Sequence, residues 1–261
     1  MNVLRKIVNN YPLTVFFIAA YLLSWWSIPF ADGGIIPHGP FLAAVIVLAL
    51  TKGKAGLGEL FRRMTSWPGG WYWFLIGPGL VIAYLLLAFV LNLLLGATIS
   101  DTAHLRSFAP TLLGLLLLGG VWEEPGWTGY ALPMLQERYA NQPFGQLKAT
   151  LLMGVFRAGW HLPLMISGAI PWYDVVFFSI AFQFLISWLF NRTGGNVLIV
   201  MLFHLTSNVI GGGIMVPLFS GADHARYYVL FIAIAWLMAV PLAWRNKWSM
   251  GLPYRVGSIG E

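Results

Sequence analysis

Eight long apolar runs, separated by short polar segments, dominate the hydropathy pattern of this chain. About 20 residues of helix cross the hydrocarbon core of a bilayer. The runs predict spans at Pro12–Phe30, Ile36–Thr51, Phe74–Leu95, Pro110–Leu135, Ala149–Ile166, Tyr173–Phe190, Val197–Val216 and Tyr227–Trp244, the second being short for a crossing. The breaks between them hold turn-forming residues, as in Asp32-Gly33-Gly34, Trp67-Pro68-Gly69-Gly70 and Thr193-Gly194-Gly195-Asn196. The pattern therefore predicts an all-α fold, a polytopic membrane bundle of about eight transmembrane helices. There is no internal repeat, low-complexity tract or long linker, so residues 1–261 read as a single integral membrane domain.

Composition strengthens this picture. Hydrophobic residues make up 59% of the chain and charged residues 9%, against roughly a quarter charged in a soluble domain. The 13 Trp and 10 Tyr suit the headgroup layer, and Trp25, Trp26, Trp71 and Trp73 are expected to anchor there. Without Cys there is no disulfide, thiolate metal site or cysteine nucleophile, so a metal would need His, carboxylate or amide ligands. Arg5 and Lys6 ahead of the first run resemble a signal-peptide start, but the run is long and lacks an A-x-A-like exit, and it reads as a retained helix.

The net charge of +6 is distributed by side of the membrane and is not gathered into a nucleic-acid-binding stripe. Alternate loops place 12 Lys and Arg on one face, namely Arg5, Lys6, Lys52, Lys54, Arg62, Arg63, Arg138, Lys148, Arg192, Arg245, Lys247 and Arg255. The opposite face has 2, Arg106 and Arg226, together with Asp32, Asp101, Asp174 and Asp223. Basic loops accumulate in the cytoplasm, so both termini are expected there. His38, His104 and His224 fall in the outer loops and carry no assigned chemistry.

Five ionisable side chains remain at membrane depth: Glu123, Glu124, Arg157, His161 and His204. Each costs about 2.5 to 3.5 kcal/mol at the bilayer centre on insertion scales, which favours sites that face the bundle interior and find partners. At 1.5 Å per residue, Glu123 lies about 20 Å along the fourth span, His161 about 18 Å along the fifth and His204 about 10 Å along the seventh. These depths converge. Asn208, four residues after His204, shares its helical face. Two imidazoles, an amide and a carboxylate suit either a zinc-like site or a water-activating site with a separate oxyanion holder. Pro125 frees the Val121 carbonyl, while Gly119, Gly120, Gly126 and Gly129 permit close helix approach.

The segments Trp122-Glu123-Glu124-Pro125-Gly126-Trp127-Thr128-Gly129-Tyr130, Trp160-His161-Leu162-Pro163 and His204-Leu205-Thr206-Ser207-Asn208 carry a resemblance. They resemble the CPBP family of intramembrane metalloproteases, the CAAX prenyl protease and bacteriocin-processing group also called the ABI family, over a motif core at about 121–210. The family pattern joins a Glu-Glu-x-x-x-Arg segment, an aromatic-x-x-x-His segment and a His-x-x-x-Asn or Asp segment on an eight-helix bundle. The resemblance implies that Glu123 activates water for peptide-bond hydrolysis, with Glu124 as its neighbour and His161 as the second-motif histidine. It assigns His204 and Asn208 to metal binding or oxyanion stabilisation. A divalent metal such as zinc, if used, would be held by Glu123, His161, His204 and Asn208. The implied partners are the lipid bilayer and a membrane-associated protein or peptide substrate, and the implied location is a bacterial or archaeal cell membrane.

Two positions depart from that pattern: Thr128 stands where the family has Arg, and Arg157 stands at the aromatic position four before His161. In antiparallel fourth and fifth helices, Arg157 lies level with Thr128 when His161 lies level with Glu124. The guanidinium is therefore expected to have moved to the neighbouring helix, where it reaches Glu124. Arg157 and Thr128 are supporting residues in this reading. The competing reading is a non-catalytic scaffold, maturation or immunity protein of the same fold, in which the polar cluster only ties helices together. A transporter lacks support, because the site has no matching second half.

Overall fold

The computed structural model describes residues 3–67 and 69–252, so Pro68 and Arg255 of the sequence reading lie outside the described residues. A short helix α1 (Val3–Asn10) leads into α2 (Pro12–Trp25), whose first position is Pro, with φ already suited to a helix start. After a 3-10 turn at Ile28–Phe30 the chain reverses into α3 (Gly39–Thr51), which packs along α2. Gly39 makes that packing possible, since a Cβ there would fall 2.0 Å from Ser24 Oγ and 2.7 Å from the Ala20 carbonyl.

Helix α4 (Gly53–Thr65) is polar and follows the basic loop. Its Glu59 accepts hydrogen bonds from Arg63 at 2.9 Å and Arg62 at 2.8 Å, and Arg63 leads in holding its carboxyl below the usual range. Helix α5 (Trp73–Leu94) is a long apolar helix that packs on the helices Val197–Thr206 and Gly221–Arg245, and α6 (Phe108–Leu118) buries none of its side chains.

The fourth expected span is not one regular helix. It breaks after α6, where Gly119 is extended, into a 3-10 turn at Gly120–Glu123, a single turn α7 (Glu124–Gly126), a π-turn at Trp127–Ala131 and α8 (Leu132–Arg138). Pro125 removes the N–H that would bond the Val121 carbonyl, which accounts for a break at this place. Gly126 lets α7 press onto α3, for a Cβ would sit 2.2 Å from the Pro40 carbonyl oxygen. The fifth stretch likewise splits at His161 into α9 (Gly145–Trp160) and α10 (Leu162–Ile166). A π-turn at Asp174–Phe178 begins the sixth and continues as α11 (Ser179–Arg192). The seventh runs as α12 (Val197–Thr206) into a π-turn at Ser207–Met215, and α13 (Gly221–Arg245) closes the bundle.

Among the described residues, 6 helical stretches are long and apolar enough to cross a membrane. The second and fifth expected spans form α3 of 13 residues and α9 of 16, short of the roughly 20 that cover the hydrocarbon core. The core joining them is aromatic. Trp127 meets Phe16 edge-on at 5.5 Å and Trp160 at 6.1 Å, so it links α2, the broken segment and α9.

The expected belt of four tryptophans divides. Trp26 and Trp71 are exposed, but Trp73 is buried edge-on against Trp188, and Trp25 donates to the Trp160 carbonyl at 3.0 Å. Asp174, expected in an outer loop, instead opens the π-turn of the sixth span.

Candidate active site

Arg157 projects from α9 into the bundle and is 1% exposed. Its Nη1 donates to Glu124 Oε1 at 2.8 Å and to Glu123 Oε2 at 3.2 Å, and Nη2 donates to Glu124 Oε2 at 3.0 Å. The two parallel bonds to Glu124 form the fork that a planar guanidinium makes with a carboxylate. Nε donates to Gln183 Oε1 at 3.1 Å, and Gln183 Nε2 donates to Ser187 Oγ at 3.1 Å. Gln183 and Ser187 sit one turn apart on α11, so three elements share one buried polar chain. Nothing in their surroundings in the sequence separates this glutamine and serine from lipid-facing positions.

The two glutamates have different environments. Glu124 accepts four bonds: two from Arg157, one from His204 Nδ1 at 2.6 Å and one from Thr128 Oγ1 at 2.5 Å. Each of its oxygens therefore holds two donors. Glu123 has one oxygen on Arg157, while Oε1 faces His204 Nε2 and Asn208 Nδ2 across the bare face of Gly120. A Cβ on that glycine would lie 2.6 Å from His204 Nε2, 2.7 Å from Glu123 Oε1 and 2.9 Å from Asn208 Nδ2. By sequence Gly120 is expected to serve close helix packing. Here it is also a cradle for three polar atoms.

Hydrogen bonding orients both imidazoles. A carboxylate can only accept, so His204 Nδ1 carries the proton toward Glu124 and leaves Nε2 for the cavity. His161 Nδ1 likewise donates to the Arg157 carbonyl at 2.9 Å. The π-turn after α12 is held by Tyr84, whose hydroxyl lies 3.1 Å from Ser207 Oγ. Asn208, in that same turn, is directed to the same space as His204.

Glu123, Arg157, His161, His204 and Asn208 line a single cavity of about 440 Å³, together with Asp174 and the apolar Leu85, Phe178, Phe182 and Phe231. Thr128 and Glu124 lie behind this wall. Glu123, Glu124 and His204 offer ligand atoms within 4.8 Å of one another and could hold a metal ion; His161 is outside that group. Because Glu124 already binds four donors, the atoms open to an ion are Glu123 Oε1 and His204 Nε2, with Asn208 Nδ2, a donor and not a ligand, beside them.

Removing one partner from a buried ion pair typically costs about 3 to 5 kcal/mol, because the other charge is left uncompensated. Arg157→Ala should therefore lower the unfolding midpoint in detergent strongly. Adding Glu124→Gln should restore part of it, since the double variant no longer buries an unbalanced carboxylate. Losses that simply add would show that the pair is not coupled.

Residues 105–210 match the family described as type II CAAX prenyl endopeptidase Rce1-like. The chain is also 29% identical over 192 residues to a CAAX prenyl protease 2 of Methanococcus maripaludis, covering 65% of this chain and 67% of that protein. The matched range 105–210 runs across the helices that bring the glutamates, Arg157 and the histidines together. Over residues 105–210, which hold both glutamates, Arg157 and both histidines, the chain is therefore similar to the type II CAAX prenyl endopeptidases.

Proposed function

We propose that this chain hydrolyses a peptide bond of a membrane-associated protein or peptide, with water activated by Glu123. The observation that carries this reading is the unequal treatment of the two carboxylates. Glu124 is fully committed to Arg157, Thr128 and His204, whereas Glu123 keeps Oε1 directed at the cavity. A base must reach the proton it removes, and Oε1 meets that requirement. Water would lose a proton to Oε1 as its oxygen bonds to the scissile carbonyl carbon. The same proton would pass to the departing amine as the C–N bond breaks.

The other residues complete the reaction. The Asn208 amide, beside Glu123, can donate to the oxyanion that forms on the carbonyl. His204 and His161, each held through Nδ1, turn Nε2 to the cavity, where it can orient water or substrate. Glu124 is a positioning residue, acting through His204. A divalent ion such as zinc, if used, would take Glu123 Oε1 and His204 in place of the base role given to Oε1, and when bound would polarise the carbonyl and acidify water. The name of the relative, CAAX prenyl protease 2, supports trying prenylated CAAX ends among the peptide substrates. Thr128 in place of the motif arginine favours the non-catalytic alternative, and the guanidinium supplied by Arg157 supports the enzyme.

Glu123→Gln should leave the unfolding midpoint within a few degrees of wild type and reduce peptide cleavage about a hundredfold or more, as loss of a general base does. Unchanged cleavage would remove Glu123 from the mechanism. Metal analysis of the same purified proteins should find about one equivalent in wild type and less in His204→Ala if an ion belongs to the site. Metal-free protein that cleaves peptide would take the ion out of this reading.

The uneven distribution of Lys and Arg supports cytoplasmic termini. The cavity runs from Glu123 and Arg157 toward Gly34, Pro37, Ile170 and Asp174, at span ends away from the basic loops, so in this orientation it approaches the outer face. The chain has no Cys, which allows single-cysteine labelling. A cysteine at Ala169 should react with an impermeant maleimide in intact cells, and one at Ala140 only after permeabilisation. The reverse result would invert the orientation.

A further inference from the structure

Asp174 is the one carboxylate lining the cavity that has no assigned part in the site. Among the described residues its side chain has no hydrogen-bond or ion-pair partner, while the cavity's guanidinium, Arg157, is already committed to both glutamates. An unpaired carboxylate beside an apolar wall is costly unless water or a cation reaches it. Asp174, Phe178 and Phe182 follow at intervals of four residues along the π-turn and α11, and all three line the cavity. Phe182 reaches the reacting groups, with its ring 5.2 Å from that of His204 and 5.8 Å from the Arg157 guanidinium carbon. The stretch from Asp174 to Phe182 covers eight residues, or about 12 Å of helix.

We propose that Asp174 is a specificity-determining residue that binds a Lys or Arg side chain of the peptide substrate, three or four residues from the scissile bond. The number follows from the ruler, since an extended peptide covers about 3.3 to 3.6 Å per residue. Phe178 and Phe182 would carry the apolar stretch of peptide between the cation and the reacting carbonyl. This assignment rests on the endopeptidase reading above, and it names the substrate feature that the cavity selects.

The test uses the full-length protein in phosphatidylcholine nanodiscs and two fluorescent peptides that differ only in Lys or norleucine at the chosen position. Binding to the Glu123→Gln variant is measured by anisotropy, so it does not depend on turnover. The Lys peptide should bind about tenfold or more tightly than the norleucine peptide, the scale of a hydrogen bond to a charged group. Adding Asp174→Asn should erase that difference without weakening the norleucine peptide, and Asp174→Lys should reverse it toward a Glu-containing peptide. Equal binding of the Lys and norleucine peptides would overturn the proposal. So would a lysine preference that survives Asp174→Asn. Loss of the preference on adding phosphatidylethanolamine would reassign the carboxylate to a lipid ammonium group and likewise overturn it. If the peptides bind with the predicted preference but wild-type protein cuts neither, the hydrolytic reading fails and the cation site stands.

Discussion

Two adjacent carboxylates buried in an apolar bundle repel each other and lose their hydration, so the structure around them depends on where a compensating cation is placed. Arg157 is that cation. One nitrogen bridges Glu123 and Glu124, the second completes the fork on Glu124, and the third is fixed by Gln183. Phe182 packs near the guanidinium and near His204, so the ion cluster and the aromatic wall share a side chain. The desolvation of these charges is offset by a network in which most donors have an acceptor.

This network explains the irregular backbone. The helix carrying the glutamates breaks at Gly119, Gly120 and Pro125, and the helix carrying Asn208 opens into a π-turn. At membrane depth such geometry is tolerable beside protein or a polar cavity, where the freed backbone groups need not face lipid. The breaks also set the chemistry. The turn at Gly120–Glu123 brings the glycine's bare face against His204 and Asn208, while α7 turns Glu124 toward Arg157 and Thr128. Adjacent residues in sequence thereby receive different tasks, one directed at the cavity and one behind it.

Much of this was legible in the sequence. Hydropathy marks the membrane bundle because the bilayer requires long apolar segments, and intramembrane charges stand out because they are rare and costly. The pairing of Arg157 with Glu124 followed from helix rise and antiparallel packing. Hydropathy does not register hydrogen bonding, however, so it continues the fourth span through Pro125 and reads α9, of 16 residues, as part of a full crossing. Trp73 was expected at the interface by residue type, but shape complementarity with Trp188 placed it inside. Asp174 looked like loop charge because it sits at the end of an apolar run, and its place in the cavity depends on a π-turn that no local pattern announces. Gln183 and Ser187 were silent for a related reason: a polar residue within an apolar helix gives no sign of which neighbour it faces.

If the guanidinium on α9 does the work expected of an arginine at position 128, exchanging the two residues should preserve the site. The measurement is the unfolding midpoint and peptide cleavage of Arg157→Trp alone and combined with Thr128→Arg. The single change should destabilise the protein and stop cleavage. The double change should recover much of both, because an arginine one helical turn from Glu124 can neutralise the same carboxylate. A double variant no more stable and no more active than Arg157→Trp would show that Arg157 does not stand in for an arginine at position 128.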